Sequence, residues 1–256
     1  MARGFNGSNQ YLSAGTTHDV KALPFTMACW FNVVDVTNSY TLMTLSKSGA
    51  DFDFAMIQSR GAEAGDPVSA VYEHTFASGQ TGRAYTSTSI TANKWEHACG
   101  VFASQTSRSA YLNGGGKVTN TTSVISMTAD SDQTTIGALR RNLIIQYTNG
   151  RIAFPCIWNA ALSDDEVLSL ARGAHPSLVR PQSIVALWDL TGGFSPEPDR
   201  FGGFGLTLNN SPTVADNPGI ILPGRGRSFV SFGGVAPTPT FKPYFARRQT
   251  QGIGVS

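Results

Sequence analysis

The feature that most constrains this sequence is the stretch 149–173, in which an apolar strand leads directly into a short helix. In residues 152–158 both the odd and the even positions are apolar, and these point to opposite faces of a strand. This pattern is typical of a strand covered on both faces. Ser163 and Glu166 form a capping box, and Gly173 supplies a C-terminal stop. We therefore expect one short helix, near 164–172, whose buried stripe is formed by Val167, Leu168, Leu170 and Ala171.

The strand in this stretch carries two local signals. Asn149 and Gly150 tolerate positive φ and predict a tight turn before it. Pro155 cannot donate a ladder hydrogen bond, so a bulge or an edge position is expected there. Simple alternation divides the strand into two faces, with Ile152, Phe154, Cys156 and Trp158 on one of them.

Strand patterns recur along the rest of the chain between closely spaced turn signals. The predicted strands are 26–34, 40–47, 52–59, 68–74, 83–89, 95–103, 109–113, 118–126, 134–139, 183–190 and 202–208. Segments 95–103 and 109–113 are expected to pair as a hairpin, with 114–116 as its turn. Many short strands and one helix predict an all-β fold, a two-sheet antiparallel jelly-roll sandwich.

Composition excludes several classes of function. The 256 residues carry a net charge of only +2, which argues against the clustered basic face of a nucleic-acid-binding protein. No apolar run approaches the roughly 20 residues of a membrane span. The first residues lack the apolar core of a signal peptide, so we expect synthesis in the cytoplasm without export by that route.

The three cysteines, Cys29, Cys99 and Cys156, all lie in apolar strand patterns. They are predicted to be buried free thiols that pack as small hydrophobes, with a Cys29–Cys99 disulfide as the alternative. No CxxC pair or Cys/His cluster indicates a zinc site.

Composition changes at Asn217, which divides the chain into a predicted domain, 1–216, and an extended arm, 217–256. The arm has no Asp or Glu and is rich in Pro and Gly. Ordering its backbone costs roughly 1–2 kcal/mol per residue, more than its apolar side chains return. We therefore expect it to bind a neighbouring subunit; the alternative is packing across its own sandwich. The predicted assembly residues are Arg225, Arg227, Phe241, Tyr244, Phe245, Arg247 and Arg248.

Four segments together resemble the LamG-like members of the concanavalin A-like lectin/glucanase group. The stretch from Gly150 to Glu166 is similar to the hallmark G-x-I-D-x-V-x-I-Y-N-x-A-L-S-x-x-E-I. Segments 5–12 and 25–30 resemble the opening F-D-G-x-D-D-Y and the strand F-T-I-S-A-W, and Trp95-Glu96-His97 with 111–114 resembles W-x-H and Y-V-N-G. The resemblance covers about residues 3–215 and implies a jelly roll, a fold that hosts lectins, hydrolases and scaffolds.

Two functions are compatible with that resemblance. The first is a non-enzymatic structural protein of a tailed-phage virion, a capsid-decorating or tail component that assembles with its own copies and other virion proteins. The alternative is a carbohydrate-binding module that attaches to glycans. The aromatic residues near loops that could stack on sugars are Tyr72, Phe76, Tyr85 and Tyr147.

Neither catalysis nor metal binding is indicated by the residue pattern. The E-x-D-x-x-E spacing that a glycosidase of this fold uses does not occur, and Glu197 and Asp199 are expected in a solvated, proline-flanked turn. His97 is expected to be a hydrogen-bonded core imidazole. Calcium, which lectin-like relatives often bind, has as candidates Asp51 with Asp53 and Asp130 with Asp132, but Asn6 and Ala153 replace acidic residues of the family pattern. We expect these aspartates to cap turns.

Overall fold

A computed structural model describes residues 1–15, 22–51, 53–61, 63–73, 82–125 and 131–221. The described residues form a two-sheet antiparallel sandwich with one α-helix, α1 (Asp164–Ala171), as the sequence predicts. Two 3-10 turns, Pro176–Leu178 and Pro181–Ser183, follow this helix.

The strands are numbered in chain order. The first nine are β1 (Ala2–Asn6), β2 (Tyr11–Ala14), β3 (Phe25–Val33), β4 (Ser39–Ser46), β5 (Phe54–Arg60), β6 (Pro67–Glu73), β7 (Arg83–Ser89), β8 (Glu96–Ser104) and β9 (Ser107–Leu112). The others are β10 (Gly115–Asn120), β11 (Gln133–Ile136), β12 (Leu139–Arg140), β13 (Ile144–Ile145), β14 (Asn149–Trp158), β15 (Ile184–Leu187), β16 (Thr207–Asn209) and β17 (Thr213–Ala215).

The two large sheets enclose the main core. The eight-stranded sheet has the order β10-β9-β8-β3-β14-β1-β17, with β15 paired to β14, and the seven-stranded sheet has the order β16-β2-β11-β4-β5-β6-β7. Alternate residues from both inner faces fill the space between them, among them Phe31, Phe102, Leu12 and Ile57. Neighbours in each sheet are often distant in sequence, as a jelly roll requires.

Strand β14 lies near the middle of its sheet, between β3 and β1, and both of its faces are covered as predicted. The register with β3 shifts between Ala153 and Cys156, so the expected bulge at Pro155 is confirmed. The bulge also corrects the predicted faces. Ile152 and Ile157 point into the core between the sheets, whereas Cys156 and Trp158 pack outside it, under the helix. An inserted residue reverses the alternation beyond it.

The predicted turn at Asn149 and Gly150 is wrong, because both residues belong to β14 and pair with β1. Gly150 has φ +150°, and a Cβ atom there would lie 2.2 Å from the carbonyl oxygen of Asn32. Glycine is needed at this position for the close approach of β3 to β14.

Helix α1 begins and ends as the sequence predicts. The Ser163 Oγ accepts from the Glu166 N–H at 3.3 Å, and the Glu166 carboxylate accepts from the Ser163 N–H at 2.8 Å. Arg180 donates two further hydrogen bonds to this carboxylate, both at 2.8 Å. Val167 and Leu170 cover Trp158 on the outside of the eight-stranded sheet, which closes that part of the sheet to solvent.

The cysteine prediction is confirmed: Cys29, Cys99 and Cys156 are all buried free thiols. Burial raises the pKa of each thiol, which keeps them protonated and unreactive.

Several strand boundaries and one turn differ from the predictions. The β8–β9 connection lies at residues 104–107, and residues 113–114 instead join β9 to β10. The predicted strand 202–208 is reduced to β16, and β17 follows it. The three consecutive glycines, 114–116, indicate a turn but do not indicate which two strands it joins.

The first five residues of the predicted arm, 217–221, lie against the sandwich. Ile220 packs on the cluster of Ala2, Ala153 and Phe154. Ile221 donates to the Gly173 carbonyl at 2.6 Å and accepts from the His175 N–H. The rest of the arm lies outside the described residues, so how residues 222–256 dock stays a prediction.

Candidate functional site

Of the four aromatic residues predicted to stack on sugars, Tyr72 is a core residue. Its ring is 3% exposed and lies 6.1 Å from the rings of both Phe25 and Phe102. It follows Val68 and Ala70 on the inner parity of β6 and therefore faces the opposite sheet. This ring cannot offer a face to a sugar. Phe76 lies outside the described residues.

Tyr85 and Tyr147 are both half-buried but do not form one site. Tyr85 is on β7, the edge strand of the seven-stranded sheet. Tyr147 packs against Tyr11 of β2, with ring centroids 6.2 Å apart. β2 and β7 are five strand spacings apart, about 24 Å. The predicted assembly residues, Arg225, Arg227, Phe241, Tyr244, Phe245, Arg247 and Arg248, lie outside the described residues.

The prediction that Glu197 and Asp199 lie in a solvated turn is wrong for Glu197, whereas Asp199 is half-exposed. Glu197 is fully buried, and its Oε1 accepts from Arg3 Nε at 2.7 Å and from the Gly192 N–H at 3.1 Å. Asp199 accepts from four backbone N–H groups, those of residues 187, 201, 202 and 204. Both carboxylates thus hold the connection between β15 and β16, which would otherwise leave backbone donors unpaired.

The calcium candidates are only partly covered by the structure. Asp132 accepts from the Ser48 N–H at 2.7 Å and from the Ser48 hydroxyl, so it caps a turn as expected. Asp53 is buried, Asp51 is exposed, and Asp130 lies outside the described residues. Within the described ranges, no three His, Cys, Asp or Glu residues cluster closely enough to hold a metal ion.

Ser177, His175 and Asp189 form a contact that superficially resembles a hydrolase triad. The Ser177 Oγ lies 2.8 Å from His175 Nδ1, and His175 Nε2 lies 3.1 Å from Asp189 Oδ1. The Ser177 N–H also reaches Nδ1, so the imidazole caps the 3-10 turn that starts at Pro176. The imidazole is 0% exposed and packs against Phe154, so no substrate reaches it.

A cleft of about 540 Å³ lies beside β1, on the outside of the eight-stranded sheet. It follows β1 between β14 and β17, and the sheet register places Gly4 beside both Arg151 and Thr213. Its lining residues are Gly4, Phe5, Asn6, Gln10, Val34, Gly150, Arg151, Thr213, Val214, Ala215 and Asp216. Gly4 has no side chain, which leaves the floor low between Arg151 and Thr213, and amide, guanidinium, hydroxyl and carboxylate groups surround it.

The loop at one end of the cleft is fixed by Asn6. Its Oδ1 accepts from the backbone N–H groups of Ser8, Asn9 and Gln10, at 3.0–3.3 Å. Asn6 stands where the family pattern has Asp. Here the side chain organises the turn by hydrogen bonds to the backbone, a role that asparagine fills as well as aspartate.

Arg151 is the cation of the cleft. It lies on the outward parity of β14, opposite Asn32, and its side chain is exposed. Among the described residues no hydrogen-bond or ion-pair partner of its guanidinium is found. Five N–H donors are therefore available to a ligand.

Two half-buried tryptophans, Trp30 and Trp95, border this region of the sheet. They pack on the cluster of Ala2, Ala153 and Phe154, which meets the cleft at Ala215. Trp30 pairs with Ala153, two residues along β14 from Arg151. Aromatic faces beside hydrogen-bonding groups are a suitable surface for the apolar and polar sides of a sugar.

His97 supports Trp30 from the neighbouring strand. The two rings are in edge contact, with centroids 5.4 Å apart. The imidazole is 2% exposed, and burial lowers its pKa to about 3. The predicted burial of His97 is confirmed, but the predicted hydrogen bond of the imidazole is not, because Nδ1 has no partner among the described residues.

The residues that line the cleft went unrecognised in the sequence because they come from four separate segments. The one local signal is Arg151, a charged residue between Gly150 and Ile152 in an otherwise apolar strand. A charge at that position indicates that one outward-facing site of β14 is open to solvent.

The geometry agrees with the comparison to known families. A family model described as the concanavalin A-like lectin/glucanases superfamily matches residues 6–168, well over half of the chain. The chain belongs to this superfamily. The superfamily match begins at Asn6 and ends within α1, so it contains the hallmark from Gly150 to Glu166.

Solved structures with this superfamily fold are similar at low sequence identity. A Bacteroides ovatus protein proposed to bind carbohydrate has a TM-score of 0.57 and 18% identity over 83% of this chain and 61% of its own. A Ruminococcus gnavus sialidase module, CBM40, bound to α2,3-sialyllactose has a TM-score of 0.53 and 12% identity, covering 67% of this chain and 98% of the module. A heptameric SAP-like pentraxin from Limulus polyphemus has a TM-score of 0.51 and 16% identity, covering 66% and 81%.

These identities support the shared fold alone. This chain spans less than two thirds of the Bacteroides ovatus protein. No curated protein matches the sequence. Within the described part of the chain, no helix has the length and apolarity needed to cross a bilayer.

Proposed function

We propose that this protein is a non-catalytic carbohydrate-binding module and that its glycan lies in the cleft along β1. The observation that carries the proposal is the cleft itself, in which the exposed guanidinium of Arg151, paired by none of the described residues, stands among amide and hydroxyl groups. The cluster on which Trp30 and Trp95 pack meets this cleft at Ala215. Sugars present hydroxyls at their edges and C–H groups on their faces, and this surface offers a partner for each.

Two similar structures support the same function. The Bacteroides ovatus protein is proposed to bind carbohydrate, and the Ruminococcus gnavus module was solved with a sialylated sugar. Of the two functions compatible with the sequence, this one therefore has the stronger support. The tailed-phage virion role, with its protein partners and its location in a particle, stays a prediction that depends on residues outside the described ranges.

A glycan array probed with the full chain, followed by calorimetry on the glycans retained, tests the proposal. Arg151→Ala should weaken binding at least about tenfold, because a hydrogen bond to a charged group is worth roughly 1.5–3 kcal/mol. The matched control is Arg172→Ala, which removes an arginine just beyond α1, away from the cleft. Failure to retain any glycan, or equal binding by Arg151→Ala and the native protein, would overturn the proposal.

A further inference from the structure

Gln10 provides a hydrogen-bond acceptor of fixed orientation in the cleft. Its Nε2 donates to the carbonyl oxygens of Asn210 and Ser211, both at 3.0 Å. These two bonds use both amide hydrogens. Oε1 remains, and none of the described residues donates to it, so it can serve a ligand in the cleft only as an acceptor.

A second hydrogen bond joins the two segments that hold Gln10 in place. Asn210 Nδ2 donates to the Asn9 carbonyl at 2.8 Å, which joins the loop after β1 to the residues before β17. Asn210 and Ser211 both have left-handed backbones, with φ +57° and +55°. Such conformations cost free energy and persist where surrounding contacts enforce them, often at ligand sites. The acceptor is therefore pre-organised.

A donor and an apolar contact line the same cleft. Arg151 supplies the donor. Val34 supplies the apolar contact: its side chain is 41% exposed and lines the cleft, and its N–H donates to the carbonyl of Asn149, two residues before Arg151. The lining of the cleft therefore combines an apolar contact, a hydrogen-bond donor and an acceptor of fixed orientation.

We infer that the cleft recognises the acetamido group of an N-acetylated sugar, an inference that rests on the proposed carbohydrate-binding function. The acetamido N–H donates to Gln10 Oε1, its carbonyl accepts from Arg151, and its methyl group packs on Val34. A plain hydroxyl lacks the methyl contact, and a free amine lacks both the carbonyl acceptor for Arg151 and the methyl group for Val34.

Calorimetry with three matched sugars, the oligomers of N-acetylglucosamine, glucosamine and glucose, tests the inference on the full chain. The acetylated sugar should bind at least about tenfold more tightly than either of the others, since it alone makes all three contacts. Val34→Ser should reduce that preference about fivefold, through the lost apolar contact. Val118→Ser is the control, because Val118 is similarly exposed, at 37%, on the distant strand β10.

Two results separate this inference from the proposed function. If all three sugars bind with equal affinity and Arg151→Ala abolishes binding, the acetamido inference is overturned and the carbohydrate-binding function stands. If Val34→Ser and Val118→Ser have the same effect on the preference, the methyl contact is also wrong. If no sugar on the array or in solution binds, both fail together.

Discussion

His97 is buried as a neutral imidazole, and this should make the stability of the fold depend on pH. Its folded pKa, lowered by burial to about 3, lies below the ordinary value of 6.5. Between these two pH values the unfolded chain binds a proton at His97 that the folded chain excludes. The contribution of the neutral imidazole to the free energy of unfolding is therefore complete above pH 6.5 and is lost as pH falls toward 3. Through this residue, the free energy of unfolding falls by at most about 1.4 kcal/mol for each pH unit.

Urea unfolding at pH 7, 5.5 and 4.5 measures that slope. The variant His97→Gln should be less stable at pH 7 but should show a shallower loss on acidification, because it has no proton to gain at this site. Parallel pH profiles for the native protein and His97→Gln would show that the buried imidazole does not contribute.

The Arg3–Glu197 ion pair shows what local sequence patterns miss at this scale. The two residues are 194 positions apart, and the prolines around Glu197 indicate a solvated loop. Burial of a carboxylate depends on the partner that neutralises it. Here that partner, Arg3, comes from the first strand, so the residues near Glu197 in the sequence do not indicate that its carboxylate is buried. Asn6, by contrast, lies in a recognisable motif, and only its hydrogen-bonding role required the structure.

At the scale of elements, the approach of β3 to β14 should fail if Gly150 gains a side chain. A Cβ there would lie 2.2 Å from the Asn32 carbonyl oxygen and 2.9 Å from the Val33 Cα, and both are backbone atoms that cannot move independently. Gly150→Ala should therefore destabilise the fold by about 3 kcal/mol or more, through overpacking and an unfavourable φ.

Chemical denaturation measures the effect of Gly150→Ala. The control is Gly193→Ala, where a Cβ would meet no atom within 4 Å. Equal stability of the two variants would mean that the strands can separate without cost.

Elements whose signals are local were predicted well. The capping box and glycine stop define α1, and Pro155 marks the bulge in β14, because these depend on neighbouring residues. The faces of β14 were predicted incorrectly because a bulge reverses every side chain beyond it, and its exact register is set by β3. The turn predicted at Asn149 and Gly150 is wrong for a similar reason: Asn-Gly favours turns, but a close contact between strands can also require glycine.

At the scale of the whole molecule, the cleft depends on how the jelly roll joins the two ends of the described chain. β1 pairs with β14 on one side and with β17 on the other, which brings residues 4–10 beside 150–151 and 213–216. The sequence predicts the sandwich through its periodicity and motifs. It does not predict this neighbourhood, because strand order in a sheet is decided by long-range pairing.

The arm should divide into two parts with different effects on removal. Residues 217–221 belong to the sandwich, since Ile220 packs on Ala153 and Phe154 and Ile221 makes two backbone hydrogen bonds with residues 173 and 175. Deleting 217–256 should therefore cost about 2–4 kcal/mol more than deleting 222–256, from partial burial of Ile220 and the lost hydrogen bonds. Urea unfolding of the two truncated proteins measures the difference.

The shorter deletion, 222–256, also tests the predicted assembly role. It removes Arg225, Arg227, Phe241, Tyr244, Phe245, Arg247 and Arg248 and leaves the described sandwich complete. If the arm joins copies of the chain, sedimentation velocity should show an oligomer for the full chain and a folded monomer after this deletion. The variant Phe241→Ser with Tyr244→Ser and Phe245→Ser should behave like the deletion, since the anchors are expected to be these aromatic rings. A full chain that is already monomeric, or a deletion of 222–256 that unfolds the sandwich, would show that the arm does not act between subunits.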